Sequence, residues 1–128
     1  MSTKEDTVRK GYKAFGEGDM ETLGSLYTDD VVQTMPGNNK LSGETKGRDD
    51  VIALYGKMHE LSGGTFKADL QSAKEDGDKI VSVHSAKGER DGNNLDTNET
   101  IAFTFAGEKI SRLDITTSDD AAQDKFWA

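Results

Sequence analysis

The sequence predicts an α+β fold in which three helices lie against a curved, mostly antiparallel sheet. Three observations point there. Apolar residues recur at helical spacing from Val8 to Met58, they alternate with polar residues from Phe66 to Ile115, and glycine-bearing turns separate the alternating runs. Helices gathered at one end of a chain and strands at the other are the pattern of an α+β architecture.

Thr3 with Asp6 three residues later reads as a variant capping box, and Val8, Tyr12 and Phe15 then fall on one helical face. Gly16 to Gly18 ends this first helix. Asp19 caps a second, in which Met20, Leu23, Leu26 and Tyr27 keep helical spacing until Asp29-Asp30 closes it. A short strand, Val31 to Thr34, is stopped by Pro36-Gly37, and residues 38–46 read as loop. Asp49 or Asp50 caps the third helix, whose Val51, Leu54, Tyr55 and Met58 form an apolar stripe before Gly63-Gly64. Four strands follow. Phe66, Ala68 and Leu70 alternate in the first, and Glu75-Asp76-Gly77-Asp78 turns the chain into residues 79–87. Arg90-Asp91-Gly92-Asn93 is an Asp-Gly hairpin, residues 95–105 carry Ile101, Phe103 and Phe105 on one face, and residues 109–116 place Leu113 and Ile115 together. A final segment runs from Asp119 to Trp127, with Asp119-Asp120 as its cap.

At 128 residues the chain is read as one domain spanning 1–128, able to bury a core without metals or disulfides. The absence of cysteine excludes thiol catalysis and thiolate metal sites. Twenty-four acidic against sixteen basic side chains give a formal charge of −8, which repels polyanions, and no basic stripe with interleaved aromatics appears. Nucleic acid is therefore not an expected partner. No run of 18 apolar residues occurs, and Met1 to Lys10 lacks the order of a secretory leader, so the expectation is a cytoplasmic protein without a membrane span. Two histidines without cysteine make no transition-metal signature, and the Gly-rich stretches follow helices rather than open them, which is the wrong geometry for phosphate.

The order Tyr12-Lys-Ala-Phe15, Gly18-Asp19-Met20, Leu26-Tyr27-Thr28-Asp29-Asp30, Val31-Val32, Met35-Pro36-Gly37, Leu41-Ser42-Gly43, Gly47-Arg48 and Val51 to Tyr55 is distinctive. It resembles the NTF2-like superfamily, specifically its SnoaL-like and ketosteroid-isomerase-related branch, over nearly the whole chain. The resemblance implies a cystatin-like half-cone whose open end is a mostly apolar pocket for a small molecule, no cofactor, and a homodimer through the outer sheet face. Ser82, Thr104, Arg112 and Asp114 would be polar contacts on that face.

Carried over position by position, Tyr12 matches the family's oxyanion tyrosine and Tyr55 a second tyrosine near it. The general-base aspartate is replaced by Met35 and the protonated aspartate by Ile101. Steroid isomerisation through two such carboxylates is thereby excluded. SnoaL-like cyclases place a histidine where His84 stands, and Glu99 shares strand parity with Ile101, Phe103 and Phe105, which points it inward near the rim. The candidate catalytic residues are His84, Glu99 and Tyr12, and the candidate ligand-lining residues are Phe15, Tyr27, Met35, Tyr55, Ile101, Phe103, Leu113 and Ile115. A His–Glu pair suits proton transfer near neutrality, so the first reading is isomerase- or cyclase-type chemistry on an enolisable apolar substrate. The second is a ligand-binding or accessory module, in which His84 is a hydrogen-bonded filler and Glu99 a solvated strand-start residue.

Overall fold

A computed structural model describes residues 3–128. Its strands are β1 (Tyr27–Met35), β2 (Gly43–Lys46), β3 (Lys67–Asp76), β4 (Lys79–Arg90), β5 (Asn93–Ala106) and β6 (Lys109–Thr117). They form one sheet in the order β2-β1-β6-β5-β4-β3. Every pairing is antiparallel except β1 with β6, so the sheet is mixed. The helices are α1 (Thr3–Glu17), α2 (Met20–Ser25), α3 (Arg48–Leu61) and α4 (Asp120–Phe126). α1 packs on β3 and β4, α3 on β1 and β2, and α4 on β5. Among the described residues no helix is long and apolar enough to cross a membrane.

Several expectations need correction. Among the described residues there are four helices, since the Asp119–Trp127 segment folds as α4 with Asp119 accepting from the Ala122 amide at 3.1 Å. Thr3, expected as a cap, is itself helical; Met1 and Ser2 lie outside the described residues. Tyr27 is the first residue of β1 rather than the last of α2, and Asp29 and Asp30 lie within that strand. Long-range pairing overrides helical spacing here, because the Ile110 amide donates to the Leu26 carbonyl at 2.8 Å and Tyr27 then pairs with Ile110.

Residues 43–46, expected as loop, pair antiparallel with β1 from Met35↔Gly43 to Val32↔Lys46. Gly-Glu-Thr-Lys has no apolar alternation because it is an exposed edge strand, whose polar side chains also discourage further pairing. α3 starts on Gly47, with no side-chain cap. Gly47 has φ +94, a conformation that glycine supplies at low cost, and Asp49 and Asp50 sit in the first turn, where carboxylates suit the helix dipole.

Strand parity determines what faces the helices. On β4 the inward set is Ile80, Ser82, His84 and Ala86, all buried, while Val81 and Val83 face outward and are half-buried. Ser82 was expected on the outer face; it is fully buried on the inner one. Asp114 does face outward, accepting from Arg112 Nε at 3.0 Å and from Thr34 Oγ1 at 3.1 Å. His59 is exposed near the end of α3.

The seat of α4 depends on Gly88. A Cβ there would stand 2.9 Å from Phe126 Cζ and 3.3 Å from Phe66 Cα, so only glycine lets the helix close onto β4. Phe126 and Trp127 are both 1 % exposed. Arg90 Nη1 donates to the Phe126 carbonyl at 3.0 Å, and Asp124 Oδ1 accepts from the Asn38 amide at 2.7 Å, which ties the Pro36-Gly37 turn to the same helix.

Candidate functional site

Between the inner sheet face and α1 and α3 lies a cavity with about 70 Å³ open to the centres of water molecules, several times the roughly 10–15 Å³ that one water needs on that measure. Val8, Leu23, Met58, Ile110 and Leu113 are among its apolar walls. Tyr12, His84 and Glu99 form a polar patch in that lining.

These three side chains meet in a hydrogen-bonded chain. Tyr12 Oη is 2.7 Å from Ser82 Oγ and 2.5 Å from His84 Nδ1, and His84 Nε2 is 2.9 Å from Glu99 Oε1. α4 completes it: Trp127 Nε1 donates to Gln123 Oε1 at 3.0 Å, and Gln123 Nε2 donates to Glu99 Oε2 at 2.5 Å. An indole N–H can only donate, so Gln123 must accept at Oε1 and offer its amide hydrogens to Glu99. One carboxylate oxygen is thereby fixed as an acceptor, and the proton of the His–Glu pair lies between Glu99 Oε1 and His84 Nε2. With that proton on His84, Nδ1 accepts from the Tyr12 hydroxyl, which accepts in turn from Ser82. Hydrogen-bond donors then converge on Glu99 from both ends.

The register makes this meeting possible. His84 pairs directly with Glu99 across β4 and β5, so two inward side chains stand side by side. His84 is 3 % and Glu99 5 % exposed. A buried carboxylate is costly unless paired and hydrogen-bonded, and both of its oxygens here have partners. Glu99 is therefore not the solvated strand-start residue of the second sequence reading.

A second polar group lies on β1 and α3. Tyr27 Oη is 2.8 Å from Tyr55 Oη, and the Tyr55 hydroxyl donates to Gln33 Oε1. Burial pushes the phenols of Tyr12, Tyr27 and Tyr55 well above their ordinary value; the Ser82 hydrogen bond draws Tyr12 partly back, the Tyr55 bond does the same for Tyr27, and the charge of Glu99 raises Tyr12 further. All three stand in the fold as neutral phenols. Below pH 10 the unfolded chain is protonated at these positions too, and the stabilisation is fully present. Above it the unfolded state releases protons that the native state keeps, so stability falls as pH rises toward the raised native values. Tyr27→Phe is expected to reduce the slope of unfolding free energy against pH above 10 by about 1.4 kcal/mol per pH unit, measured by urea denaturation; equal slopes in the two proteins would contradict this.

All eleven candidate residues read from the sequence line the cavity: Tyr12, Phe15, Tyr27, Met35, Tyr55, His84, Glu99, Ile101, Phe103, Leu113 and Ile115. Phe15 stands edge-on to Tyr55 with ring centroids 5.4 Å apart. Four residues of the polar chains were not anticipated. Ser82 and Gln33 were legible by parity, the first with Ile80 and His84, the second with Val31 and Met35. Gln123 and Trp127 stand one helical turn apart, a spacing that signals a shared face but not the face toward Glu99.

An uncharacterised protein of Mycobacterium tuberculosis (strain ATCC 25618 / H37Rv) is 35% identical over 124 residues, covering 96% of this chain and 95% of its own length. Bal32a, from a soil-derived mobile gene cassette, superposes with a TM-score of 0.96 at 34% identity, covering 98% of this chain and 97% of that one. A Xanthomonas campestris protein of unknown function with a cystatin-like fold superposes with a TM-score of 0.93 at 29% identity, covering 100% of this chain and 99% of that one. The SnoaL-like domain model matches residues 8–113, a span that holds Tyr12, His84 and Glu99, and the chain belongs to the SnoaL-like family.

Proposed function

We propose that the cavity binds a small, mainly apolar molecule with an enolisable carbonyl group and that the Tyr12–His84–Glu99 chain moves a proton on it. The observation that carries this reading is the hydroxyl–imidazole–carboxylate order at 2.5 and 2.9 Å, with Tyr12 in the cavity wall. Both ring nitrogens of His84 are engaged, so His84 acts through Tyr12. The C–H bond α to the carbonyl breaks, its proton goes to Tyr12 Oη as the Tyr12 proton passes to His84 Nδ1, and its electron pair enters the enolate. Glu99 stabilises the imidazolium, as a carboxylate does behind a histidine base. The renewed Tyr12 O–H then donates to the enolate, or returns the proton to another carbon in an isomerisation. The raised pKa of Tyr12 favours such coupled transfer over a standing phenolate. The test is exchange of the α-protons of cyclic ketones in deuterated buffer, followed by NMR; exchange no faster than in buffer across the panel would overturn the reading.

A second reading has its own observation. Every polar atom of the chain from Ser82 to Trp127 finds a protein partner without a ligand. A cavity whose polar wall is complete in itself suits a binding or accessory module, and binding without exchange is the result expected of one.

The same reading includes a homodimer through the outer sheet face. Val32, Val81, Val83 and Ala102 are half-buried there, and no helix of the described residues packs on that side. Thr104, Arg112 and Asp114 would frame the contact as polar groups. Sedimentation at micromolar concentration is expected to give the mass of a dimer, and Val83→Glu a monomer; a monomeric wild type would refute the assignment.

A further inference from the structure

Gln33 is 1 % exposed, and its Nε2 has no hydrogen-bond partner. Among the described residues two other buried side-chain atoms share that condition, the hydroxyls of Thr28 and Thr97, and neither residue lines the cavity. Gln33 does. The orientation of its amide follows from proton counting. If Tyr27 donates to Tyr55 and Tyr55 to Gln33 Oε1, both hydroxyl protons reach acceptors and only the amide nitrogen remains unpaired. The reversed chain would strand the Tyr27 proton and the Gln33 carbonyl together. An unpaired group in the core is therefore a donor, which is costly to leave unmade, and it waits for an oxygen.

That donor lies far from the dyad. Gln33 pairs with Leu113 and Leu113 with Phe103, so Gln33 stands two strands from β5 and at the level of Phe103, four residues along from Glu99. Two strand spacings of about 4.8 Å across and four residues of about 3.3 Å along put the Cα atoms of Gln33 and Glu99 on the order of 16 Å apart. The floor between them is Ile101, Phe103, Leu113 and Ile115. A carbonyl oxygen held at Gln33 is too remote for its own α-carbon to reach Tyr12.

We propose that Gln33 is a specificity-determining residue that donates from Nε2 to a second oxygen acceptor of the ligand, at the end opposite the group that meets Tyr12. The ligand is then an elongated apolar framework with an oxygen at each end. This rests on the cavity's binding a small molecule but not on the proton-transfer step.

The test is a double-mutant cycle in which one partner is the ligand. Binding of trans-decalin-1,5-dione and of trans-1-decalone, which lacks the second carbonyl, is measured by NMR titration of the wild type and of Gln33→Met. The wild type is expected to favour the dione, and the dione-to-decalone ratio to fall about fivefold in Gln33→Met, the effect of one neutral hydrogen bond. Gln33→Glu keeps an acceptor for Tyr55 but offers the ligand no N–H, and is expected to lower the ratio at least as far; it carries the test should Gln33→Met not fold. A ratio that stays within twofold of the wild type in a folded variant overturns the proposal, and so does failure of the wild type to bind either ketone. Loss of the preference on substitution, without α-proton exchange in any protein, would support the role of Gln33 while refuting proton transfer.

Discussion

Glu99→Gln is expected to reverse the tautomer of His84 and to lower α-proton exchange about 10²- to 10⁴-fold, the range for losing a positioned acid–base group. Gln123 is fixed by Trp127 and presents only amide hydrogens to residue 99. A glutamine there must meet them with its carbonyl, which turns its own NH₂ toward His84 Nε2. That nitrogen then has to accept, the ring proton moves to Nδ1, and Nδ1–H points at the Tyr12 oxygen. The hydroxyl proton of Tyr12 no longer has an acceptor in His84. Imidazole nitrogen shifts read this directly: protonated Nε2 in the wild type, protonated Nδ1 in the variant. An unchanged tautomer in a folded Glu99→Gln protein would refute the assigned direction of the chain. His84→Ala is expected to lose as much exchange, and Tyr12→Phe likewise, because each removes the route from the cavity to the base.

The arrangement is partly legible in the sequence. Alternation on β5 puts Glu99 with Ile101 and Phe103, but whether it meets His84 depends on the register of β4 against β5, which a one-residue slip would reverse and which the pairing of the folded strands decides. On β4 the pattern was ambiguous, because Val81 and Val83 outweigh Ser82 and His84 in hydrophobicity although they face outward. Two polar residues on the buried face invert the usual signal, and the inversion occurs where the hydrogen-bonded chain is built. α2 and β1 failed for a different reason. Tyr27 fits a helical stripe as well as a strand, and the choice is made by Ile110, far along the chain. β2 offers no apolar pattern at all, so only its partner reveals it.

Helix α4 was the part the sequence placed but did not interpret, and it has consequences for both stability and chemistry. Trp127→Ala is expected to destabilise the fold by about 3–5 kcal/mol, the usual cost of emptying a buried aromatic site, since the ring packs against Phe66 and Phe126 with centroids 5.5 and 4.7 Å away. Trp127→Phe separates packing from hydrogen bonding. It keeps an aromatic ring but leaves Gln123 Oε1 without its donor, at about 1–3 kcal/mol, both changes measured by urea unfolding. Released from the indole, the Gln123 amide is free to rotate, and Glu99 Oε2 loses a donor held in a fixed direction. The His84 ring nitrogens are then expected to shift and the Glu99→Gln tautomer reversal to weaken, because the amide at 123 no longer dictates how residue 99 turns. If Trp127 is only a packing residue, Trp127→Phe will leave the His84 spectrum as in the wild type, and the reversal in Glu99→Gln will survive in the double variant. The comparison therefore separates a tryptophan that merely fills the core from one that positions the dyad through Gln123.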